Sequence, residues 1–562
     1  MRAEGTGERE LTARAIGFGL VLGGLLAAGN VYSGTKLAFI DSGMTMVVLM
    51  SFAVFAALRR PLSVLEANIA QVTGSSAAVM ALTAGVVGPV PALAMGGHAP
   101  SSIWIAVWGA ALGVFGTLIA APFRRQLVED DGLPFPSGRA AGELIKNLAA
   151  AGAGASRGPV TTLAVAFAAA ALVVVFRDVF AAVPPDIALP LVIAGVPAAS
   201  LGIGLGLSPL ILGVGLLVGL RFAISMLVGG VVAWVVLAPA LIGRGVIAGA
   251  DYGSGLNWLV WPGVSMMVAS SFTSLAFSGR SLWRAWSERH VERGAAWRWV
   301  RGGVVLCAAA IVAIGWVGFG VSPVIGLLAL AISVVFSIVG LRATGETDQT
   351  PSGPLGALAQ GLVGVTAPGS TLPPLFTGGV TNGAAGHSAT MMQGWKTTHI
   401  VGGSPGRAMA AQLAGVMVGA VTAVLAYVLL DRAYGIGSQA LPSPIAMSWK
   451  VTAEVVQGGI STMPAGAPLA ALVGAAVGVL LAVLERGRAA RLVPSAVALG
   501  VGFIVPVMTT AGIAIGALLF AALRRARPAW SEMHVPSLAA GLITGEALTG
   551  VVVAALVVAH VL

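Results

Sequence analysis

The chain has 562 residues, of which 57% are hydrophobic and only 9% are charged. Soluble globular proteins carry about 25% charged residues, so this composition excludes an ordinary soluble domain and predicts an integral membrane protein. The net charge of +10 comes from Lys and Arg residues that collect in short connections between apolar runs. Because the positive-inside rule explains that pattern, we predict no binding to nucleic acid.

Apolar runs of membrane-spanning length follow one another along the whole chain. The run after residue 14 is interpreted as a first span, because no convincing signal-peptide cleavage site follows it. The runs are continuous and lack the apolar–polar alternation of β-barrel strands. We therefore predict an all-α integral membrane protein, a polytopic bundle of about 14–16 transmembrane helices with interrupted and re-entrant segments. Clear examples of the runs are 163–175, 222–242, 303–320 and 409–430.

Basic clusters between these runs predict the orientation of the chain. They recur at 59–60, 124–125, 280–301, 486–491 and 524–527. If all of them face the cytoplasm, the N-terminus is also cytoplasmic, because two candidate spans precede the first cluster. The longest cluster divides the chain into an N-terminal membrane half (1–279), a basic cytoplasmic connection (280–301) and a C-terminal membrane half (302–562).

Each half contains two polar stretches within apolar surroundings. The first half has them at 66–76 and 136–147, and the second half has them at 381–388 and 448–457. Lipid does not tolerate such stretches unless protein or a water-filled cavity surrounds them, so they indicate a pathway for a polar solute. Their like order predicts two repeated halves, a common feature of secondary transporters. Chance similarity among Gly-rich spans is the alternative.

The stretch at 136–147 contains the pattern of a helix that begins inside the membrane. Pro136-Ser137-Gly138 would start this helix, and its free N–H groups suit an anionic group such as a carboxylate. One face of the helix then carries Arg139, Glu143 and Lys146. Lys450 and Glu454 are four residues apart in the second half and are predicted to match this pattern. An internal ion pair in each half is the alternative.

Three carboxylates in apolar surroundings, Glu66, Glu143 and Glu454, are candidates for proton coupling. Burial favours the neutral form of a carboxyl group, which would let these groups bind and release protons near neutral pH. A helix–helix hydrogen bond or salt bridge is the alternative for each of them. Asp41 and Glu546 are interpreted as structural or interfacial.

The other polar side chains of these stretches are candidates for substrate binding. Amide groups would hydrogen-bond a peptide-like backbone, whereas Arg and Lys would neutralise substrate carboxylates. His387 would contact the substrate or transfer a proton, with a hydrogen-bonded structural role as the alternative. The predicted substrate-binding residues are Asn68, Gln71, Ser137, Arg139, Lys146, Asn147, Asn382, His387, Gln393, Lys396 and Lys450.

The chain lacks the signatures of a metal site or an enzyme. None of the six histidines has a partner at metal-ligand spacing, so we predict no bound metal and no cofactor. No nucleophile–base pair indicates catalysis. The stretch 29–36 resembles a phosphate-binding loop, but it ends in Thr-Lys where the motif requires Lys followed by Ser or Thr. A pore-type channel for small polar solutes is the alternative to a carrier, since Gly-rich broken helices also build pores.

Three segments resemble the oligopeptide transporter (OPT) family, in the same order along the chain. Asp131-Gly-Leu-Pro-Phe-Pro-Ser-Gly-Arg-Ala-Ala-Gly-Glu-Leu-Ile-Lys-Asn147 is similar to the family's Leu-Thr-Tyr-Pro-Ser-Gly-Thr-Ala segment. Ala389-Thr-Met-Met-Gln-Gly-Trp-Lys-Thr-Thr-His399 is similar to Asp-Leu-Met-Gln-Asp-Phe-Lys-Thr-Gly, and Gly541-Leu-Ile-Thr-Gly-Glu546 to Gly-Leu-Ile-Cys-Gly-Asp/Glu. The resemblance is to a bacterial member related to the yellow stripe-like branch. The departures from the pattern are at Arg139, Gly394 and Thr398, where Thr, Asp and Gly are expected.

The resemblance implies secondary active transport, usually coupled to protons, of oligopeptides or of peptide-like or metal-chelate compounds across the cytoplasmic membrane. It also implies a multi-span fold of duplicated origin, in agreement with the repeat inferred above. The expected partners are a small peptide or metal-chelate substrate, protons and the lipid bilayer, and a homodimer is left open. The departures prevent the transfer of an iron-chelate specificity to this chain.

Overall fold

A computed structural model describes residues 10–155, 157–277, 297–348, 350–364, 366–367, 369–459, 463–487 and 492–561. The predicted basic connection at 280–301 lies outside the described residues, except for its last five positions, 297–301, which begin a helix.

The described residues fold almost entirely into helices. In chain order these are α1 (Ala13–Leu37), α2 (Met44–Ala57), α3 (Val64–Ala78), α4 (Met80–Thr83), α5 (Pro89–Met95), α6 (Ser102–Ala120), α7 (Pro136–Ala155), α8 (Arg157–Val174), α9 (Pro209–Val218), α10 (Leu220–Gly230), α11 (Ala238–Gly243), α12 (Tyr252–Phe277), α13 (Trp297–Phe319), α14 (Pro323–Thr347), α15 (Ser352–Gly364), α16 (Leu372–Val401), α17 (Pro405–Tyr434), α18 (Pro444–Gly458), α19 (Ala467–Leu484), α20 (Ala496–Ile504), α21 (Val507–Ala526) and α22 (Pro528–Val558). The strands are β1 (Asp186–Ala188), β2 (Val192–Ile193), β3 (Val196–Pro197) and β4 (Gly204–Gly206), and β1 pairs antiparallel with β4, as β2 does with β3.

The helices confirm the predicted all-α polytopic membrane fold. Within the described residues, 10 helical segments are long and apolar enough to cross a membrane, and the apolar helices α2 and α9 are shorter. Interrupted helices are also present. Gly219 separates α9 from α10 at a φ of 80°, a conformation that favours glycine, and Pro506 separates α20 from α21 because it has no N–H to donate.

The described chain forms two compact units, each drawn from segments on both sides of the predicted connection. Unit 1 comprises Met1–Val31, Ile40–Val160 and Ser278–Val428, and unit 2 comprises Tyr32–Phe39, Thr161–Phe277 and Leu429–Leu562. The division into halves at 280–301 and their duplication remain predictions. One shared feature accords with a repeat: α7 and α18 each begin with a proline that follows a residue at positive φ, Phe135 at 39° and Ser443 at 47°.

In unit 1, α16 is buried along most of its length and packs against α3, α6, α7, α14 and α15. Small residues make this close packing feasible, as is usual between membrane helices. The α7–α16 crossing is the tightest example, because a Cβ on Gly138 would overlap the carbonyl oxygen of Gln393. The Thr397 hydroxyl donates to the carbonyl oxygen of Gly138 at 2.8 Å across the same crossing.

Unit 2 is built around α12, which packs along α19. A Cβ on Gly474 or Gly478 would overlap backbone carbonyl oxygens of α12, so these two helices are in backbone contact. Trp234 stacks on Tyr252 with ring centroids 4.7 Å apart, and the Tyr252 hydroxyl donates to the carbonyl oxygen of Ile504. The short β1–β4 pair lies between α8 and α9 in the chain and places Asp186 opposite Gly206.

Candidate functional site

The predicted helix start at 136–138 exists, and an internal carboxylate occupies its N-terminus. Asp348 accepts the backbone N–H of Ser137 at 2.9 Å, the Ser137 hydroxyl at 2.5 Å and the Gln393 side-chain amide at 3.0 Å. The structure thus brings the predicted residues Ser137 and Gln393 together. The partial positive charge of the helix N-terminus stabilises a carboxylate at this place. The prediction assigned the place to a carboxylate of the substrate, and in the structure Asp348 occupies it.

Replacing Asp348 by Ala should lower the free energy of unfolding by about 1–2 kcal/mol, because it removes the cap from α7 and leaves partly buried donors without an acceptor. Asp348 has a φ of +65°, which Asn tolerates well. Asp348→Asn should therefore cost less than Asp348→Ala. Unfolding of the purified variants in detergent measures both changes, and equal losses would contradict the capping role.

The polar face predicted on α7 is exposed. Arg139 and Glu143 form an ion pair at 2.7 Å with side chains 62% and 53% exposed, as in the alternative interpretation of this segment. Lys146 and Asn147 are exposed on the following turn. Lys396 of α16 is partly buried and lies close enough to Arg139 for the two positive charges to repel each other. Two predicted cationic residues, Arg139 and Lys396, therefore come close together at this crossing.

The predicted residues deeper in unit 1 are buried. Asn68 and His387 contact neighbouring helices, whereas Gln71 contacts a residue of its own helix, α3. The Asn68 amide donates to the Thr398 hydroxyl at 3.1 Å, and the Gln71 amide donates to the Ser75 hydroxyl at 3.2 Å. Asn382 is also buried. The His387 ring nitrogens lie 3.4 Å from the Ser76 hydroxyl and 3.3 Å from the Thr83 hydroxyl, which matches the alternative of a hydrogen-bonded histidine.

Each carboxylate predicted to carry a proton faces a cation. Glu66 accepts from the Arg14 guanidinium at 2.7 and 2.5 Å, from the Thr12 hydroxyl at 2.7 Å and from the Ser63 backbone at 3.0 Å. Glu454 of unit 2 lies 3.6 Å from Lys450, with both side chains about one-third exposed. Together with Arg139–Glu143, this makes three carboxylate–cation pairs, so each carboxylate has a partner that stabilises its ionised form.

Unit 2 contains a half-open cavity of about 580 Å³ that we name the charged cavity. Its wall combines apolar residues with charged and hydroxyl side chains. The polar residues that line it are Tyr32, Lys36, Arg177, Asp178, Asp186, Ser208, Tyr434, Gln439 and Thr509. A concave apolar site with a few convergent polar groups is the usual form of a small-molecule binding site.

Glu546 stands behind the wall of the charged cavity and is fully buried. One carboxylate oxygen lies 3.0 Å from the Lys36 ammonium and 3.4 Å from the Arg177 guanidinium. The other oxygen accepts the Ser208 hydroxyl at 2.7 Å and the backbone N–H of Leu210 at 2.9 Å, at the start of α9. Glu546 therefore forms salt bridges within the protein, in agreement with its structural interpretation.

Arg177 belongs to a wide, π-helical turn, Val175–Val179, that continues α8. Its guanidinium binds the neighbouring Asp178 in a two-pronged ion pair with distances of 2.6 and 2.9 Å. Such turns in membrane helices frequently mark functional sites. The cluster of Lys36, Arg177, Asp178 and Glu546 is therefore charge-balanced, and the cavity presents both signs of charge to a ligand.

None of the four residues of this cluster was among the predicted site residues. Lys36 ends the stretch dismissed as a phosphate loop, and Arg177-Asp178 follows directly after the apolar run at 163–175. The sequence did contain one indication of the cluster, because Lys36 and the pair Arg177-Asp178 each lie at the end of an apolar run. Nothing local, however, indicated that Lys36, Arg177 and Glu546 meet.

Comparison with known proteins places the chain among transporters. A sequence model described as "OPT oligopeptide transporter protein" matches residues 10–557. The "Putative oligopeptide transporter YGL114W" of Saccharomyces cerevisiae is 30% identical over 213 residues, which cover 35% of this chain and 28% of that protein. The "Probable metal-nicotianamine transporter YSL17" of Oryza sativa is 26% identical over 497 residues, or 77% of this chain and 70% of that protein.

Proposed function

Because the chain belongs to the OPT oligopeptide transporter family, we propose that it is a secondary active, proton-coupled transporter of peptides or of peptide-like or metal-chelate compounds. Its membrane would be the cytoplasmic membrane. The names of the two relatives are those of transporters, one of oligopeptides and one of metal–nicotianamine complexes. We therefore propose that the substrate is a small molecule that bears amino and carboxylate groups.

The observation that carries the proposal is the charged cavity of unit 2, which is lined by the ends of membrane helices and by the segments that connect them. Lys36 and Arg177 would bind a substrate carboxylate, in competition with Glu546 and Asp178. Asp178 and Asp186 would bind a substrate ammonium group. Since a peptide carries one group of each sign at its termini, a charge-balanced wall favours it over a simple anion or cation.

Proton coupling is proposed for the carboxylate–cation pairs of Glu66, Glu143 and Glu454. Protonation of a carboxylate would cancel its attraction for the paired cation and free that cation to interact elsewhere. At the α7–α16 crossing, the freed cation would be Arg139, beside Lys396. Two more of the predicted substrate contacts, Ser137 and Gln393, lie at the same crossing around Asp348.

Uptake by reconstituted protein tests the function directly. In liposomes with an imposed inward proton gradient, accumulation of a labelled peptide or metal chelate should exceed its external concentration and should collapse with a protonophore. Saturable uptake without any dependence on the gradient would contradict proton coupling. Single-channel currents in planar bilayers would instead support the pore-type channel.

The role of the charged cavity is tested by filling it from an exposed position. Ala440 lines the cavity and is exposed, so Ala440→Trp should reduce uptake to below about one-tenth of wild type without disturbing the core. Ile436 belongs to the same loop but does not line the cavity, which makes Ile436→Trp the matched control. Equal uptake by both variants would remove the cavity from the transport path.

A further inference from the structure

A second cavity in unit 2, of about 540 Å³, lies beside the end of α21 and is named here the arginine cleft. Its floor is made of small and apolar residues, and its rim carries two arginines. The lining residues are Gly219, Leu220, Ala517, Phe520, Ala521, Arg524 and Arg525. The cleft is separate from the charged cavity, because the two share no lining residue.

Local backbone geometry explains why this space is open. Gly219, between α9 and α10, has a φ of 80°, and a Cβ added there would meet nothing within 4 Å. On the other side, Phe520 and Leu523 of α21 pack against a buried apolar cluster that includes Leu216 and Val535. The floor of the cleft is therefore held in place by the core, and Gly219 leaves its mouth unfilled.

The rim carries positive charge that forms no ion pair within the described residues. Arg524 and Arg525 are exposed, and neither forms an ion pair in that part of the chain. The Arg524 guanidinium lies 6.0 Å from the centroid of the Phe520 ring, so its side chain folds back along the apolar floor. Two guanidinium groups without an ion-pair partner among the described residues, next to an apolar slot, provide the two contacts that an amphipathic anion needs.

We propose that the arginine cleft binds an anionic phospholipid, whose phosphate is held by Arg524 and Arg525 and whose acyl chain lies along the apolar floor. α21 is a membrane-spanning segment, and its Ile515 and Leu518 side chains are 45% and 51% exposed. A lipid that surrounds this helix therefore has direct access to the cleft. Basic pockets at the ends of membrane helices bind anionic headgroups in this way, whereas a soluble phosphate would leave the apolar floor uncovered.

Native mass spectrometry of the full chain in detergent, titrated with phosphatidylglycerol or phosphatidylcholine, tests the proposal. We expect phosphatidylglycerol to bind at least about tenfold more tightly than phosphatidylcholine. The double variant Arg524→Gln, Arg525→Gln should lose most of that preference, with binding about 30-fold weaker. Arg527 belongs to the same basic cluster but does not line the cleft, so Arg527→Gln should change binding less than threefold.

Other outcomes would overturn the assignment. Equal binding of the two lipids would show an apolar slot without headgroup recognition. Displacement of phosphatidylglycerol by an equal concentration of inorganic phosphate would show a site for a free anion. Ala521→Leu fills the floor without changing the charge, and unchanged phosphatidylglycerol binding by this variant would exclude the proposed position of the acyl chain.

Discussion

Replacing Glu546 by Gln is expected to lower the free energy of unfolding by about 3–5 kcal/mol, the usual cost of leaving a buried charge without its partner. Glu546 is fully buried, and the variant would leave the Lys36 ammonium, 3.0 Å away, without a carboxylate. Arg177 would lose one of its two acidic partners but keep Asp178. Unfolding in detergent, followed by the fraction of protein that remains monodisperse, measures the loss.

Two further variants separate this ion pair from other effects of the substitution. The double variant Lys36→Met, Glu546→Gln removes both charges, so it should be more stable than Glu546→Gln alone. Glu143→Gln breaks an exposed carboxylate–arginine pair and should cost less than about 1 kcal/mol. If Glu546→Gln were as stable as Glu143→Gln, the buried ion pairs of Glu546 would not contribute to the stability of the fold.

Replacing Gly138 by Ala is the second large expected loss, about 1–3 kcal/mol through overpacking. A Cβ at this position would overlap the carbonyl oxygen of Gln393 and push α7 away from α16. That shift would also break the 2.8 Å bond from the Thr397 hydroxyl and weaken the contacts of Ser137 with Asp348. Ala normally stabilises a helix by about 1 kcal/mol relative to Gly. A loss of stability in Gly138→Ala would therefore show that the added Cβ overpacks the α7–α16 contact.

Gly361 provides the matched control, because it also lies within a helix and a Cβ there would meet nothing within 4 Å. Gly361→Ala should leave stability unchanged or raise it by about 0.4–1 kcal/mol. Both variants are compared by thermal unfolding of purified protein. A Gly138→Ala variant as stable as Gly361→Ala would mean that the two helices tolerate separation at this crossing.

The family resemblance that rested on short motifs is confirmed by the match over residues 10–557. One departure from the motif now has a structural counterpart. At Gly394, where the family pattern has Asp, a Cβ would overlap the side-chain amide of Gln412. An aspartate at this position would therefore require the side chain of the buried Gln412 to move.

The membrane class and the helical fold could be predicted from the residues alone, because both depend on local properties. An apolar run of about 20 residues has no stable place except a bilayer or a large core, whatever it contacts. Pro136 ends one segment and starts another for an equally local reason, since it has no N–H to donate. The Arg139–Glu143 pair likewise follows from a spacing of four residues along one helix.

Only the tertiary structure decided which charges share a site. Lys36 and Glu546 are separated by 510 positions in the chain, and no local pattern links them. A charge in an apolar segment shows that a partner is needed, because an unpaired charge is costly there, but it does not show which residue the partner is. Long-range packing also placed Asp348 at the α7 N-terminus. The sequence of α7 alone predicted only that its free N–H groups would bind an anionic group.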